Sequence, residues 1–183
     1  RTGYYELPDP YMLEGESITE ISKTAGTTEA QSMTPFTGTW SNDAQLWWHG
    51  QSVNDELLLD MTGIGMGNYE ITTQLTKAVD YGILQLYLDD VALGSSIDCY
   101  NNGVTPTGEI ILDTAFDVTS INPDLKIKII GKNSSSTGYM AGLDYIHFSD
   151  NNVTPTPSPT PGPTSTPVGW WLLNNDASDS SGN

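Results

Sequence analysis

Cations are scarce in this chain of 183 residues, where six Lys and Arg stand against 23 Asp and Glu for a formal net charge of −17. All six cations and 21 of the 23 acids precede Thr154, so the body of the chain carries about −15. A phosphate backbone attracts the opposite sign, which excludes nucleic acid as a partner. The single cysteine, Cys99, excludes an internal disulfide and any multi-cysteine zinc site. No run approaches the roughly 18 apolar residues of a membrane helix, and no cationic-then-apolar leader opens the chain, so no membrane partner is expected. Only two histidines are present, His49 and His147, without a Gly-x-Ser-x-Gly elbow, a phosphate loop or a His-x-x-x-His pair beside them. No enzyme is expected. A paired-carboxylate glycosidase is the hardest class to dismiss, because many acids offer many pairs.

Proline is concentrated instead of scattered. Residues 154–167 read TPTPSPTPGPTSTP, with six prolines in fourteen positions. Proline fixes φ and removes a backbone donor, so such a segment is a semi-rigid spacer, about 40 Å long at roughly 3.1 Å per residue. The expected organisation is an N-terminal extension over 1–10, one module over 11–152, a Pro/Thr linker over 153–168, and the truncated start of a second β-sandwich over 169–183. A linker of this kind argues for export, so a secreted, extracellular protein is expected.

Within 11–152 the dominant period is two. Asp55–Met61, Tyr69–Leu75, Ile83–Leu88, Glu109–Leu112, Leu125–Ile130 and Gly142–Phe148 are short, rich in β-branched or aromatic residues, and bounded by Gly, Asn, Asp or Pro. Tyr11–Leu13, Ser17–Ser22 and Ala44–Trp48 are further candidates. No segment carries a capped 3.6-residue stripe. Nine short strands with turn signals between them predict an all-β fold, an antiparallel β-sandwich of jelly-roll type. Alternation points Leu57, Leu59, Tyr69, Ile71 and Leu75 into the core, together with Leu84, Leu86, Leu88, Leu125, Ile127, Ile129, Ile146 and Phe148. Glu70, Gln74, Gln85, Lys126 and Lys128 point out.

The connections hold the unusual residues. Gly38–Gly50 contains three of the five tryptophans, Lys77–Gly82 places Asp80 and Tyr81 between two strands, and Gly131–Tyr139 is a polar turn ending in an aromatic. Aromatic rings on loops at one end of a sandwich suit a sugar: its C–H face packs on the ring while amides, carboxylates and ammonium groups bond its hydroxyls. Trp40, Trp47, Asp80, Tyr81, Lys132, Asn133 and Tyr139 are the candidate ligand-binding residues. In the adjacent pair Trp47 and Trp48, alternation sends one side chain inward, and Trp48 is expected there. A second constellation is Glu14 and Glu16 near the start with Asp144 on the last strand. Residues i and i+2 of a strand share a face, so the glutamates can point at one cation, and carboxylates with backbone carbonyls suit calcium.

These residues resemble a known group. Tyr11–Ser17 (YMLEGES), Asp55–Met61 (DELLLDM) with Gly67–Ile71 (GNYEI), and Gly142–Phe148 (GLDYIHF) resemble the carbohydrate-binding modules of families 6 and 35. Those open with an acidic strand, contain a Gly-x-Tyr-x-hydrophobic strand and end in a Leu-Asp-Tyr/Trp-Ile strand. The middle of the chain is similar to accessory sandwiches beside one group of glycoside hydrolases. Residues 169–183 resemble the first strand and turn of a laminin-G or concanavalin-like domain. The resemblance implies a galactose-binding-like β-sandwich without catalytic activity, attached to a secreted glycoside hydrolase. It also implies a structural calcium held by Glu14, Glu16 and Asp144. The chain departs from families 6 and 35 in lacking their late Gly-x-Trp ligand motif, near which stands Asp98–Gly103. Two functions are therefore weighed: a monomeric module that targets its enzyme to polysaccharide or oligosaccharide, and a spacer that braces neighbouring modules of the same chain without binding sugar. A binding module must expose convergent aromatics in a concave site, whereas a spacer buries them.

Overall fold

The computed structural model describes residues 11–151. The chain divides into two compact units, Arg1–Asn152 and Val153–Asn183, and the described strands all belong to the first. The expected extension over 1–10, the linker over 153–168 and the second-domain fragment over 169–183 lie outside the described residues.

Eleven strands run β1 (Met12–Glu14), β2 (Thr19–Lys23), β3 (Thr28–Ser32), β4 (Ala44–Trp48), β5 (Glu56–Asp60), β6 (Gly67–Lys77), β7 (Ile83–Leu88), β8 (Val91–Asp98), β9 (Thr105–Val118), β10 (Asp124–Gly131) and β11 (Ala141–Asp150) among the described residues. They form two antiparallel sheets. One has the order β3-β4-β11-β6-β9, with β1 also paired to β11, and the other has the order β2-β5-β10-β7-β8. The fold class is the predicted all-β sandwich, with the core between the sheets. All thirteen residues assigned inward by alternation are buried, from Leu57 to Phe148. Each such side chain contributes roughly 1.5–3 kcal/mol of hydrophobic stabilisation.

Two strands, β3 and β8, were not expected. Both are edge strands. Of β3 (TEAQS) no residue is buried, and of β8 (VALGSSID) only Leu93 is. An edge strand exposed on this scale has no apolar side to alternate, so the period-two signal vanishes. β6 and β9 extend well beyond their apolar centres, to eleven and fourteen residues.

β11 positions everything that follows. Its beginning pairs with β4 through Gly142 opposite Trp47, its middle pairs with β1 through Tyr145 opposite Glu14, and its end pairs with β6 through Asp150 opposite Tyr69. The Tyr11 carbonyl accepts from the Phe148 N–H, so both ends of the described chain leave from the far end of β11. At about 3.3 Å per residue, Gly142 stands roughly 26 Å from Asp150.

Candidate functional site

Six of the ten site residues singled out by sequence gather in two places near the start of β11. The first is a carboxylate cradle. Asp144 is fully buried, and its carboxylate accepts from the Ser41 N–H at 3.0 and 3.3 Å and from Gln74 Nε2 at 2.5 Å. Ser41 Oγ donates to Glu14 Oε1 at 2.7 Å, and Asn42 Nδ2 reaches Glu16 Oε1 at 3.5 Å. A tight turn over Ser41–Asp43, with Asn42 and Asp43 at positive φ, thus pins together Glu14 of β1, Asp144 of β11 and Glu16, which stands in a 3-10 turn over Gly15–Ser17 and not on the strand that the i, i+2 spacing assumed. Gly15 makes the approach possible: a Cβ there would lie 2.0 Å from the Leu143 carbonyl oxygen.

The cradle is electrostatically incomplete. Burial pushes the Asp144 carboxyl up to about 6, and the nearby charges of Glu14 and Glu16 add to that while its hydrogen bonds oppose it. Glu14 is raised for the same leading reason, loss of water. Glu14 Oε2 and Glu16 Oε2 are buried with no hydrogen-bond partner. Carboxylate oxygens in that condition cost free energy unless a cation or a proton compensates them. Among the described residues no three His, Cys, Asp or Glu side chains close into a metal site by themselves. A cation held here would draw further oxygens from backbone carbonyls and water, as calcium does.

The second place is a cavity of about 250 Å³ at the loop end of the sandwich. Gln31 of β3 and Trp47 of β4 form one wall, and Phe36 comes from the loop between those strands. Ala78, Val79, Asp80 and Tyr81 of the β6–β7 connection form a second wall, and Gly103 with Val104 of the β8–β9 connection close it. The β6–β7 connection is fastened on both sides by backbone hydrogen bonds. Ala78 N–H donates to the Cys99 carbonyl and Asn101 N–H to that of Ala78. Thr137 N–H donates to the carbonyl of Val79, and Met140 N–H to that of Asp80. A buried polar network lies behind the wall: Trp40 Nε1 donates to Thr76 Oγ1, Thr76 Oγ1 to Gln45 Oε1, and Gln45 Nε2 to both Gln31 Oε1 and Tyr81 Oη. Gly142 leaves room for it, since a Cβ there would lie 2.2 Å from Gln45 Oε1.

Trp47, Asp80 and Tyr81 therefore share one cavity, and the other four candidates do not line it. Trp40 is 4% exposed, its indole committed to Thr76 beneath its own loop. Tyr81 is likewise 4% exposed, and burial holds its phenol well above the ordinary range. Both rings are spent on structure, which corrects the expectation that they stand exposed for stacking. Trp47 is half-buried, packs on His49 with ring centroids 3.9 Å apart, and keeps a buried Nε1 without a partner. Lys132 holds its ammonium 4.8 Å from the centre of the Tyr139 ring, and Asn133 Nδ2 donates to Asp98 Oδ2 at 2.7 Å. Trp48 is in the core, as alternation expects. Phe36 and Gln31 were missed. An aromatic at the centre of the polar run Thr34–Gly38 was the available signal for Phe36, and Gln31 had none.

The class defined by fold and site is an antiparallel β-sandwich with a preformed cavity at its loop end. No protein-family model and no curated protein matches the chain. Solved structures match it in fold. Part of Paenibacillus xanthan lyase superposes with a TM-score of 0.64 at 22% identity, covering 79% of this chain and 13% of that one. Also similar are the CBM36-1 domain of a multidomain xylanase from the hindgut metagenome of Trinervitermes trinervoides (TM-score 0.49, 15% identity, 78% of this chain and 98% of that) and a family 6 carbohydrate-binding module from Clostridium cellulolyticum in complex with xylose (0.46, 12%, 77% and 98%). At such identities the likeness is one of fold. The chain spans about an eighth of the xanthan lyase, whose activity belongs to that protein.

Proposed function

We propose that residues 11–152 are a non-catalytic carbohydrate-binding module of a secreted, multimodular polysaccharide-degrading enzyme, with its sugar site in the cavity walled by Trp47 and Phe36. The observation that carries this reading is the convergence, in one preformed concavity, of two half-buried aromatics with Gln31 and Asp80. Aromatic faces beside a few fixed hydrogen-bonding groups are the means by which a small site holds a sugar ring. The polarity of the module supports a targeting role: the cavity lies at the loop end, whereas both ends of the described chain leave from the far end of β11.

Calcium in the cradle belongs to this reading as a structural ion. Glu14, Glu16 and Asp144 would hold it, with the unpartnered oxygens of the two glutamates as its first ligands. Bound there it would neutralise three clustered carboxylates, and the Ser41 turn would keep those acids in place. The competing reading is a bracing module. It is favoured by the burial of Trp40 and Tyr81.

Affinity electrophoresis of the full chain through gels of plant, algal and microbial polysaccharides separates the two. Retardation on at least one gel that is lost in Trp47→Ala supports the binding module. No retardation on any gel sinks it and leaves the bracing role.

A further inference from the structure

The chemistry of the cavity wall restricts what kind of sugar it can accept. We infer that the cavity takes a single uncharged sugar ring and rejects acidic sugars, with Asp80 as the discriminating residue. This inference rests on the sugar-binding reading of the same cavity.

Size sets the first limit. At about 250 Å³ the cavity is smaller than the roughly 300–1,000 Å³ of sites that enclose drug-sized ligands. One ring fills it. A second ring of the same glycan would lie outside, in water, and would add little to binding.

Charge sets the second limit. Among the described residues Asp80 is the one charged side chain lining the cavity, and it is half-buried between the apolar Val79 and the buried Tyr81. No described Lys or Arg lines it. Lys23, Lys126 and Lys128 are engaged with Glu20, Asp90 and Glu56, Lys132 lies over the Tyr139 ring, and Lys77, the last residue of β6, precedes the wall at Ala78 without lining the cavity. The carboxylate of a uronic ring would therefore meet Asp80 and the field of a strongly acidic module with no cation to receive it. An uncharged ring meets the same carboxylate as a hydrogen-bond acceptor for its hydroxyls, and such charge-assisted bonds are the stronger kind.

Rigidity makes the selection effective. The carbonyl of Asp80 accepts from the Met140 N–H at 3.0 Å, and the flanking residues are tied to Cys99, Asn101 and Thr137. These bonds fix the backbone at Asp80, so its carboxylate moves only by rotation about its own short side chain. A site held in this way discriminates by leaving a like charge where an acidic ligand must come.

The test is isothermal titration of the full chain at low salt with the methyl glycosides of several neutral hexoses and pentoses and their uronic counterparts. The neutral sugar that binds is then extended to its di- and tetrasaccharide. The uronate is expected to bind at least about tenfold more weakly than its neutral partner. In Asp80→Asn that ratio should fall below about threefold, with an unchanged melting temperature showing the fold intact. Affinity should change by less than about threefold from one ring to four. A uronate that binds as tightly as its neutral partner, a ratio untouched by Asp80→Asn, or an affinity that climbs tenfold with chain length would overturn the inference and leave the sugar-binding reading standing. Absence of binding across the whole panel, or binding indifferent to Trp47→Ala, would overturn both.

Discussion

The cradle and the cavity lie close together around the start of β11 and are built on opposite principles. In the cradle, three acids from both ends of the module are brought together by side-chain and turn hydrogen bonds, and two of their oxygens stay buried and unpartnered. In the cavity, the backbone of the β6–β7 connection is satisfied by its neighbours on both sides and the side chains are left to face the concavity. The cradle has too much charge and too few partners, whereas the cavity wall has its backbone groups matched and keeps Trp47 Nε1 without a partner. The first should respond to ions and pH. The second should respond to substitution of its walls.

The largest effect expected comes from closing the space on which the cradle depends. Gly15→Ala would put a methyl group 2.0 Å from the Leu143 carbonyl oxygen, and thermal unfolding should show a loss of about 3 kcal/mol or more. A loss under about 1 kcal/mol would mean that β1 shifts freely against β11, and the cradle is not rigid.

Next comes the pH response of Asp144. Its folded-state pKa is raised to about 6 from 3.8. Below about pH 4 both folded and unfolded states are protonated there, and between 4 and 6 only the folded state keeps its proton. Stability in chelator therefore falls as pH rises through that window, by on the order of 3 kcal/mol, and then levels off. Denaturant titrations at pH 4 and pH 7 measure it. Millimolar calcium should restore stability at pH 7 if the cradle holds the ion, and a melting temperature indifferent to calcium and chelator would remove Glu14, Glu16 and Asp144 from any metal site.

The cavity is tested by truncating its wall. Trp47→Ala should weaken sugar binding about thirtyfold, near 2 kcal/mol, by isothermal titration with the neutral glycoside. The same variant should leave the calcium response in place, because Trp47 makes no contact with the three acids among the hydrogen bonds of the cradle. Loss of both responses together would erase the distinction between the two regions.

The smallest effect is Tyr81→Phe. It removes the acceptor of one Gln45 amide hydrogen at 3.1 Å and should cost about 1 kcal/mol in denaturant unfolding, with sugar affinity within about threefold of the parent. A loss of binding as large as that of Trp47→Ala would return Tyr81 to direct contact with the ligand.

The pattern of legible and illegible features follows burial. Strands with one dry face announced themselves through alternation, and Leu57, Leu86 and Ile127 stand where the period put them. β3 and β8 stayed silent because an edge strand in water has no dry side. The spacing of Glu14 and Glu16 suggested a shared direction, and the turn at Ser41 that joins them to Asp144 had no signature, being made by bonds across 27 and 103 residues of chain. Among the loop aromatics, sequence could say which residues were available but not which were free. Trp40 and Tyr81 look as suitable as Trp47 until Thr76 and Gln45 claim them.

By itself the sequence determined the class of the fold, the membership of its core and the acidic character of its surface, because each is a sum over local choices of side chain and period. Only the tertiary structure decided which aromatics line the cavity, that Asp80 is the charge within it, and that Asp144 of the cradle stands two residues along β11 from Gly142, the partner of Trp47. Those are contacts between residues far apart in the chain. Their energies depend on distances and on the exclusion of water, which exist once the two sheets have closed.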